Sequence, residues 1–453
     1  MHLTGFLESL GLAVEQRDLS AAVLREILTE YGDETTDELL ELLAGAAPAA
    51  AKRGASAAIE ELALAIRDRI DGEFGFSRYA EAPCRRMTSF AVLERLVRRR
   101  GVLDRPLRHQ LDAAMAAVRP TLVGVTCPFP GTLVAAFKIA RHLKRRYPGV
   151  KVVLGGGYVS TELRGRLNPR VRKYFDRIIL DSGYVPLARM LGVRGELAEP
   201  AFVRPSYRGI DWSEYFDVVE TDNPVLNLWN SGRWVKLMMA RGCYWHRCAF
   251  CDVRLEYIGR PRQPRAVEIV EAMTALGNGA RGMGNRFHFV DEAMPPKLVR
   301  EVAAEIVRRG YVCEWWGNIR FDAAFTPELS RLMAKSGCVA VSGGLECADD
   351  RLLKLMNKGI TLASATKVLE AFKAAGIAVH AYLMYGFPTE TAAEERAARR
   401  YVASLARRRL VASVFWHRFA LTVHSPIAAA ADRFGIVPRP EESDFAVNEL
   451  DYS

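Results

Sequence analysis

The chain has 453 residues, half of them hydrophobic and 26% charged. That is too long for one ordinary core, so two or three domains are expected. No apolar run of about 18 residues occurs, which excludes a conventional membrane-spanning helix and leaves no membrane partner to expect. The start, MHLTGFLESL, lacks the basic-then-apolar pattern of a secretory leader, so a cytoplasmic location is expected. The net charge is +10, with arginine runs at 98–100 and 407–409. These read as solvated helix faces. No basic stretch is interleaved with aromatics, so nucleic acid is not an expected partner.

Residues 1–120 read as mostly helical, because LSAAVLREILTEYG, TTDELLELLAGAA and SAAIEELALAIRDRI place apolar residues three and four apart. AAPAAAKRGASAA, around 46–58, reads as a flexible connection. Buried strands follow at LVGVTC (122–127), VKVVLGGGY (150–158) and FDRIILDSG (175–183), with an amphipathic helix at 134–147 between the first two. Strand, helix and strand with glycines at the carboxyl ends predict an α/β domain with a doubly wound, Rossmann-like parallel sheet over 1–200. Residues 201–234, with Pro205, Trp212, Pro224 and Trp229, read as a linker. From 235 to 425 a second series begins. Its strands are WVKLMMARG, RFHFVDE (286–292), CEWWGNIRFD (313–322), CVAVSGGLE (338–346), AVHAYLMYGFP (378–388) and SVFWHRFALT (413–422). Helical stretches separate most of them, which predicts a partial (β/α)6 barrel with its chemistry at the strand carboxyl ends. Residues 426–453 form an unassigned tail.

Five of the eight cysteines, Cys84, Cys127, Cys313, Cys338 and Cys347, are scattered and read as buried thiols in a reducing compartment. Cys243, Cys248 and Cys251 lie together in RGCYWHRCAFCDV, directly after the first barrel strand. Thiolates are soft ligands that suit iron–sulfur clusters or zinc. A structural zinc site takes four protein ligands, and the local fourth candidate, His246, has no paired ligand motif downstream. Three cysteines leave one metal corner open for a reactive ligand.

This loop, with Phe250 immediately before the last cysteine, resembles the cluster loop of radical S-adenosylmethionine (radical SAM) enzymes. The superfamily's usual first gap is three residues; here it is four, a variant associated with a cobalamin-binding subgroup. The resemblance implies a [4Fe–4S] cluster on Cys243, Cys248 and Cys251, with SAM on the open iron. It further implies that Asp291, Glu292, Arg320, Glu346, Gly386 and Pro388, at successive strand ends, line the SAM site. VGVTCPFPGTL and VVLGGGYVSTELR resemble the cobalamin-binding domain that precedes the barrel in a large branch of the superfamily. By that resemblance Pro128, Phe129, Gly131 and Thr132 face the corrin, and Gly155, Gly156, Gly157 and Tyr158 accommodate the nucleotide tail. The signature that supplies a lower axial histidine is absent. The sequence opens on a helix-like segment where relatives first carry a strand, so the expectation is either a sheet without that strand or a true start that lies upstream.

The resemblance implies reductive cleavage of SAM to a 5′-deoxyadenosyl radical, hydrogen abstraction from an unactivated carbon, and delivery through cobalamin of a methyl group from a second SAM. The expected substrate is a small molecule or a peptide, and the expected electron donor is a flavodoxin or ferredoxin. Alternatives are a rearrangement or cyclisation without methyl transfer, a methylthio-type RNA-modifying enzyme, and a non-enzymatic cobalamin or metal carrier. His417, Arg418 and His424 are candidates to face substrate; His288 and His380 read as packed strand histidines. Trp245 and His246 read as groups supporting the cluster, Tyr382, Tyr385, Trp315 and Trp316 as pocket wall or core, and Lys358 and Gly359 as structural.

Overall fold

The computed structural model describes all residues except 46, 76–86, 166–167, 220, 222, 224–226, 229–233, 280–283 and 440–441. Cys84, Pro224 and Trp229 therefore lie outside the described residues. The chain divides into two compact units. The first comprises Met1–Glu199, Ser206–Asp222 and Glu441–Asn448; the second comprises Pro200–Pro205, Asn223–Pro440 and Glu449–Ser453.

Among the described residues the first unit opens with six helices: α1 (His2–Ser9), α2 (Leu19–Tyr31), α3 (Thr36–Ala44), α4 (Ala49–Arg69), α5 (Phe90–Arg98) and α6 (Asp104–Val118). Helix α4 runs through the stretch that reads in sequence as a flexible connection. Alanine is the strongest helix former, and Ala55, Ile59, Ala63 and Ile66 recur on one buried face; that face outweighs the cost of Gly54. A parallel sheet then forms from β1 (Leu122–Thr126), β2 (Lys151–Gly155) and β3 (Arg177–Ile178), in the order β1-β2-β3. Helices α7 (Leu133–Arg146) and α8 (Gly157–Thr161) connect the strands, and α9 (Tyr184–Met190) follows. The third strand is shorter than FDRIILDSG suggests, since only Arg177 and Ile178 join the ladder. Asp176 instead accepts from the Val152 amide at 2.6 Å and pairs with Lys144. Phe90, Phe137, Tyr174, Phe175 and Phe445 form an edge-to-face aromatic core beside the sheet. Residues 217–219 pack on the helices: buried Lys52 bonds Asp217, and Ser56 Oγ accepts from the Val219 amide.

The second unit is built on six parallel strands in sequential order: β4 (Val235–Leu237), β5 (Arg286–Phe289), β6 (Glu314–Arg320), β7 (Cys338–Glu346), β8 (Ala378–Tyr385) and β9 (Ser413–Arg418). This is the six-strand arrangement expected for a partial barrel. The helices are α10 (Glu256–Gly259), α11 (Ala266–Gly279), α12 (Pro296–Arg309), α13 (Pro327–Lys335), α14 (Asp350–Leu355), α15 (Leu362–Ala374), α16 (Ala392–Arg407) and α17 (Pro426–Ala429). Their starts are fixed locally: Thr326 caps α13 ahead of Pro327, and Thr361–Ser364 and Thr391–Glu394 form capping boxes on α15 and α16. The last predicted strand breaks after Arg418. Leu421–Thr422 (β10) pairs instead with Glu449–Leu450 (β11), antiparallel.

Alternate positions on the barrel strands carry polar and aromatic side chains that meet across the register. Lys236 Nζ lies 3.0 Å from His288 Nδ1, and His288 stacks on Trp316 with ring centroids 3.6 Å apart. His380 Nδ1 lies 2.7 Å from Ser413 Oγ. Both histidines are packed strand residues, as expected. Burial, with Lys236 beside it, holds His288 down to about 2, and burial holds His380 down to about 4. These values lie below the unfolded value of about 6.5, so the unfolded chain binds the extra protons in acid. The stabilisation is therefore complete above about pH 6.5 and is lost as pH falls toward the folded values. Urea unfolding at pH 7 and pH 5 should show a loss of about 1–2 kcal/mol per histidine, and His380→Gln should remove roughly half of that difference.

Candidate active site

Strand β4 ends at Leu237 and passes into the loop that carries the three cysteines. The loop has little regular structure and is held from several sides. Met239 and Ala240 donate their amides to the two carboxylate oxygens of Asp291, the first at 2.8 Å. Arg241 and Arg262 exchange backbone hydrogen bonds at 2.9 Å. Gly242 has φ +77°, and a side chain there would press on Ile258 O at 3.0 Å and Pro261 Cα at 3.2 Å. The Cys243 amide donates to Ile258 O at 2.9 Å, and the Ala249 amide to Met356 O at 2.8 Å. Trp245 Nε1 donates to Asn357 O at 2.8 Å, and Asn357 Nδ2 returns a bond to Arg247 O at 2.9 Å.

All three loop cysteines are free thiols. Burial pushes Cys248 up, while Lys358 and Arg320 beside it pull the other way. Burial, with Cys248 and Glu292 adding to it, pushes Cys251 well up. Bare thiols in such surroundings stay protonated, and metal binding must displace those protons. The donor set fits a [4Fe–4S] cube: three thiolates, each for its own iron, leave a fourth iron to another ligand. Among the described residues no three His, Cys, Asp or Glu side chains gather about one point as a single ion needs; a cube does not require that they do.

The strand ends beside the loop carry buried charge. Glu346 and Lys358 form an ion pair at 2.6 Å with both side chains under 10% exposed. Glu346 ends β7 at φ +65°, just past an irregularity in the β7–β8 register. A non-glycine residue in that region is strained backbone, which proteins retain where its surroundings dictate it. Arg320 ends β6, 3% exposed; its Nη1 lies 3.8 Å from Cys248 Sγ and its Nη2 donates to Lys358 O. The guanidinium lies over the Trp245 ring, 4.5 Å from its centroid. Burial holds the His417 imidazole below its ordinary value, with Glu346 and Lys358 as its charged neighbours.

The structure thus brings Arg320 and Glu346 together at Cys248. Asp291 is 1% exposed, and its carboxylate faces the β4–loop junction; burial pushes it up to about 7 against the pull of those two amides. Glu292 is exposed. Gly386, at φ +74°, has open space where a side chain would stand, and its amide donates to Glu390 at 2.6 Å; buried Pro388 follows in the same turn. Two participants escaped the sequence reading. Lys358 read as structural, and Asn357 carried no signal, because both act through a turn 100 residues downstream of the loop, over a spacing that no local motif encodes.

In the first unit the β1 and β2 carboxyl ends form a rim of small and exposed residues: Thr126, Pro128, Phe129 and Gly157 are exposed, and Gly131 and Thr132 are partly so. Gly156, at φ +115°, is demanded by the chain itself, since a side chain there would lie 2.4 Å from Cys127 O. Tyr158 is buried, its amide donating to Cys127 O and Pro128 O. Gly155 meets only Ile179 O at 3.6 Å. This open rim fits a broad, flat ligand such as a corrin, and among its described residues there is no histidine to ligate a metal from below.

Residues 237–401 match the Radical SAM superfamily. That match, the six parallel strands and the loop of three free cysteines at the first strand's end together define a radical SAM domain within the chain. Its fold is that of cobalamin-dependent radical SAM enzymes of known structure. TsrM from Kitasatospora setae, a radical SAM methyltransferase solved with tryptophan and a SAM analogue, superposes with TM-score 0.53 at 17% identity, over 76% of this chain and 77% of that one. OxsB, solved with aqua-cobalamin and SAM, gives TM-score 0.55 at 14% identity, over 76% of this chain and 57% of that one. In sequence, an uncharacterized methyltransferase of Pyrococcus horikoshii, PH0819, is 23% identical over 315 residues, 63% of this chain. The matched stretch spans 64% of that relative's length.

Asparagine at 291 keeps one good acceptor and turns an NH2 against a backbone amide. Asp291→Asn should therefore cost about 2–4 kcal/mol, and the variant should lose iron faster on anaerobic desalting than the parent. Thermal unfolding and an iron assay check both.

Proposed function

We propose that the protein is a cobalamin-dependent radical SAM methyltransferase that acts on a carbon of a small-molecule or peptide substrate. The observation that carries this is a loop of three free thiols at one end of the barrel, whose Cys248 stands beside the buried Arg320, Lys358 and Glu346 side chains. The open rim of the first unit and the cobalamin-using enzymes that share the fold support the cobalamin assignment. When bound, the cluster supplies the electron for SAM cleavage and cobalamin supplies the methyl carrier. The chain's own residues hold and shield these groups. Cys243, Cys248 and Cys251 would hold the cluster through their thiolates. Lys358 and Glu346 offer complementary charge to the carboxylate and ammonium of a SAM methionyl group. Gly386 leaves backbone open for close approach of a flat ring at the end of β8. Pro128, Phe129, Gly131, Thr132, Gly155 and Gly157 form the surface for cobalamin. His417 and its neighbour Arg418 stand at the end of β9, on the substrate side of this reading. A flavodoxin or ferredoxin supplies electrons, and the protein works in the cytoplasm.

Anaerobic reconstitution with iron, sulfide and hydroxocobalamin should give about four irons and four sulfides per chain, and alanine at any of the three loop cysteines should abolish iron retention. With a low-potential reductant and a substrate, SAM should yield both 5′-deoxyadenosine and S-adenosylhomocysteine. Deoxyadenosine alone would assign a rearrangement instead, and zinc without sulfide would overturn the radical reading altogether.

A further inference from the structure

We infer that Arg320 is a tuning residue of the cluster: its guanidinium donates to the Cys248 thiolate and raises the cluster's reduction potential, while Trp245 and Gly359 are positioning residues that hold it there. This rests on the reading that the three loop cysteines carry a [4Fe–4S] cluster.

The guanidinium is fixed on three sides. Its Nη1 faces Cys248 Sγ at 3.8 Å, its Nη2 is bound by Lys358 O, and one flat face lies on Trp245. Trp245 is itself fixed. Its Nε1 is tied to Asn357 O at 2.8 Å, and its ring edge lies against Gly359, where a side chain would come 2.2 Å from Cζ2 and 2.3 Å from Cη2. Gly359 also stands at φ +74°. The residue after Lys358 is therefore glycine for two reasons, its backbone conformation and the indole packed against it. Trp245 lies among the four residues between Cys243 and Cys248, so the long first gap supplies the plate on which Arg320 rests. A cation that hydrogen-bonds a ligating sulfur stabilises the more negative, reduced cluster and raises its potential. A lysine has one compact ammonium and cannot serve the thiolate, the carbonyl and the indole face together.

The test uses the full-length protein, reconstituted anaerobically, as parent, Arg320→Gln, Arg320→Lys, Trp245→Leu and Gly359→Ala. Iron and sulfide are counted, and each cluster is then titrated spectroelectrochemically without SAM. In Arg320→Gln, with iron retained, the ratio of reduced to oxidised cluster at a fixed poise should fall about tenfold, or about 59 mV for a one-electron couple. Trp245→Leu and Gly359→Ala should move it in the same direction although the guanidinium is untouched, and Arg320→Lys should fall between. Should Arg320→Gln fail to fold, Trp245→Leu decides. Full iron with an unmoved potential in Arg320→Gln and Trp245→Leu overturns this inference, as does a change confined to SAM affinity, and either result leaves the proposed function standing. A parent protein that holds no iron–sulfide centre sinks both.

Discussion

The three loop thiols are placed by hydrogen bonds that run from their loop to the strands and turns around it. Between Leu237 and Glu256 the chain forms no strand, only a single bridge between Arg241 and Arg262, and its shape is set largely by what it bonds to. Asp291 at the end of β5 takes two amides, Ile258 takes the Cys243 amide, and the Met356–Asn357 turn takes Ala249 and Trp245. Each partner sits on a different strand–helix unit. The cysteine geometry is thus a property of the assembled barrel, and catalytic placement and barrel integrity cannot be separated. On the proposed function this is the preorganisation that the centre needs, because a ligand loop free to move would lose its metal.

Charge enforces the same arrangement. Arg320, Lys358 and Glu346 are all under 10% exposed. Burying ions is costly unless each has a partner, and removing one partner leaves an uncompensated charge. Glu346 answers Lys358 directly. Burial works to lower the Lys358 ammonium, yet Glu346 and Cys248 together outweigh it and the net direction is upward. Two cations against one carboxylate leave positive charge beside Cys248. A set of thiolates is the complement of that excess, which gives the buried charges a reason that folding alone does not.

The first unit shows how a motif can have a cause other than the one it suggests. A run of three glycines at a strand end invites the reading of close ligand approach. At Gly156 the space is taken by the chain's own Cys127 backbone. What remains for a ligand is the exposed rim of Thr126 to Phe129 and Gly157, which is a matter of surface rather than of sequence pattern.

The sequence by itself determined the strand series, since the buried apolar runs of a parallel sheet are local and continuous, and β6, β7 and β8 fall where those runs lie. It determined the loop chemistry too, because three thiols within nine residues have few uses. It misjudged α4, where alanine and glycine read as flexibility until a buried face of isoleucines was seen to hold them, and it ran β9 past a break that antiparallel pairing with residues 449–450 decides. Only the tertiary structure decided which side chains stand at the cysteines. Arg320, Glu346 and Lys358 lie about 70 to 110 residues beyond Cys248 in the chain and meet it because sequential parallel strands bring every carboxyl end to the same side of a barrel. That convergence depends on register and closure, which no single segment of the chain encodes.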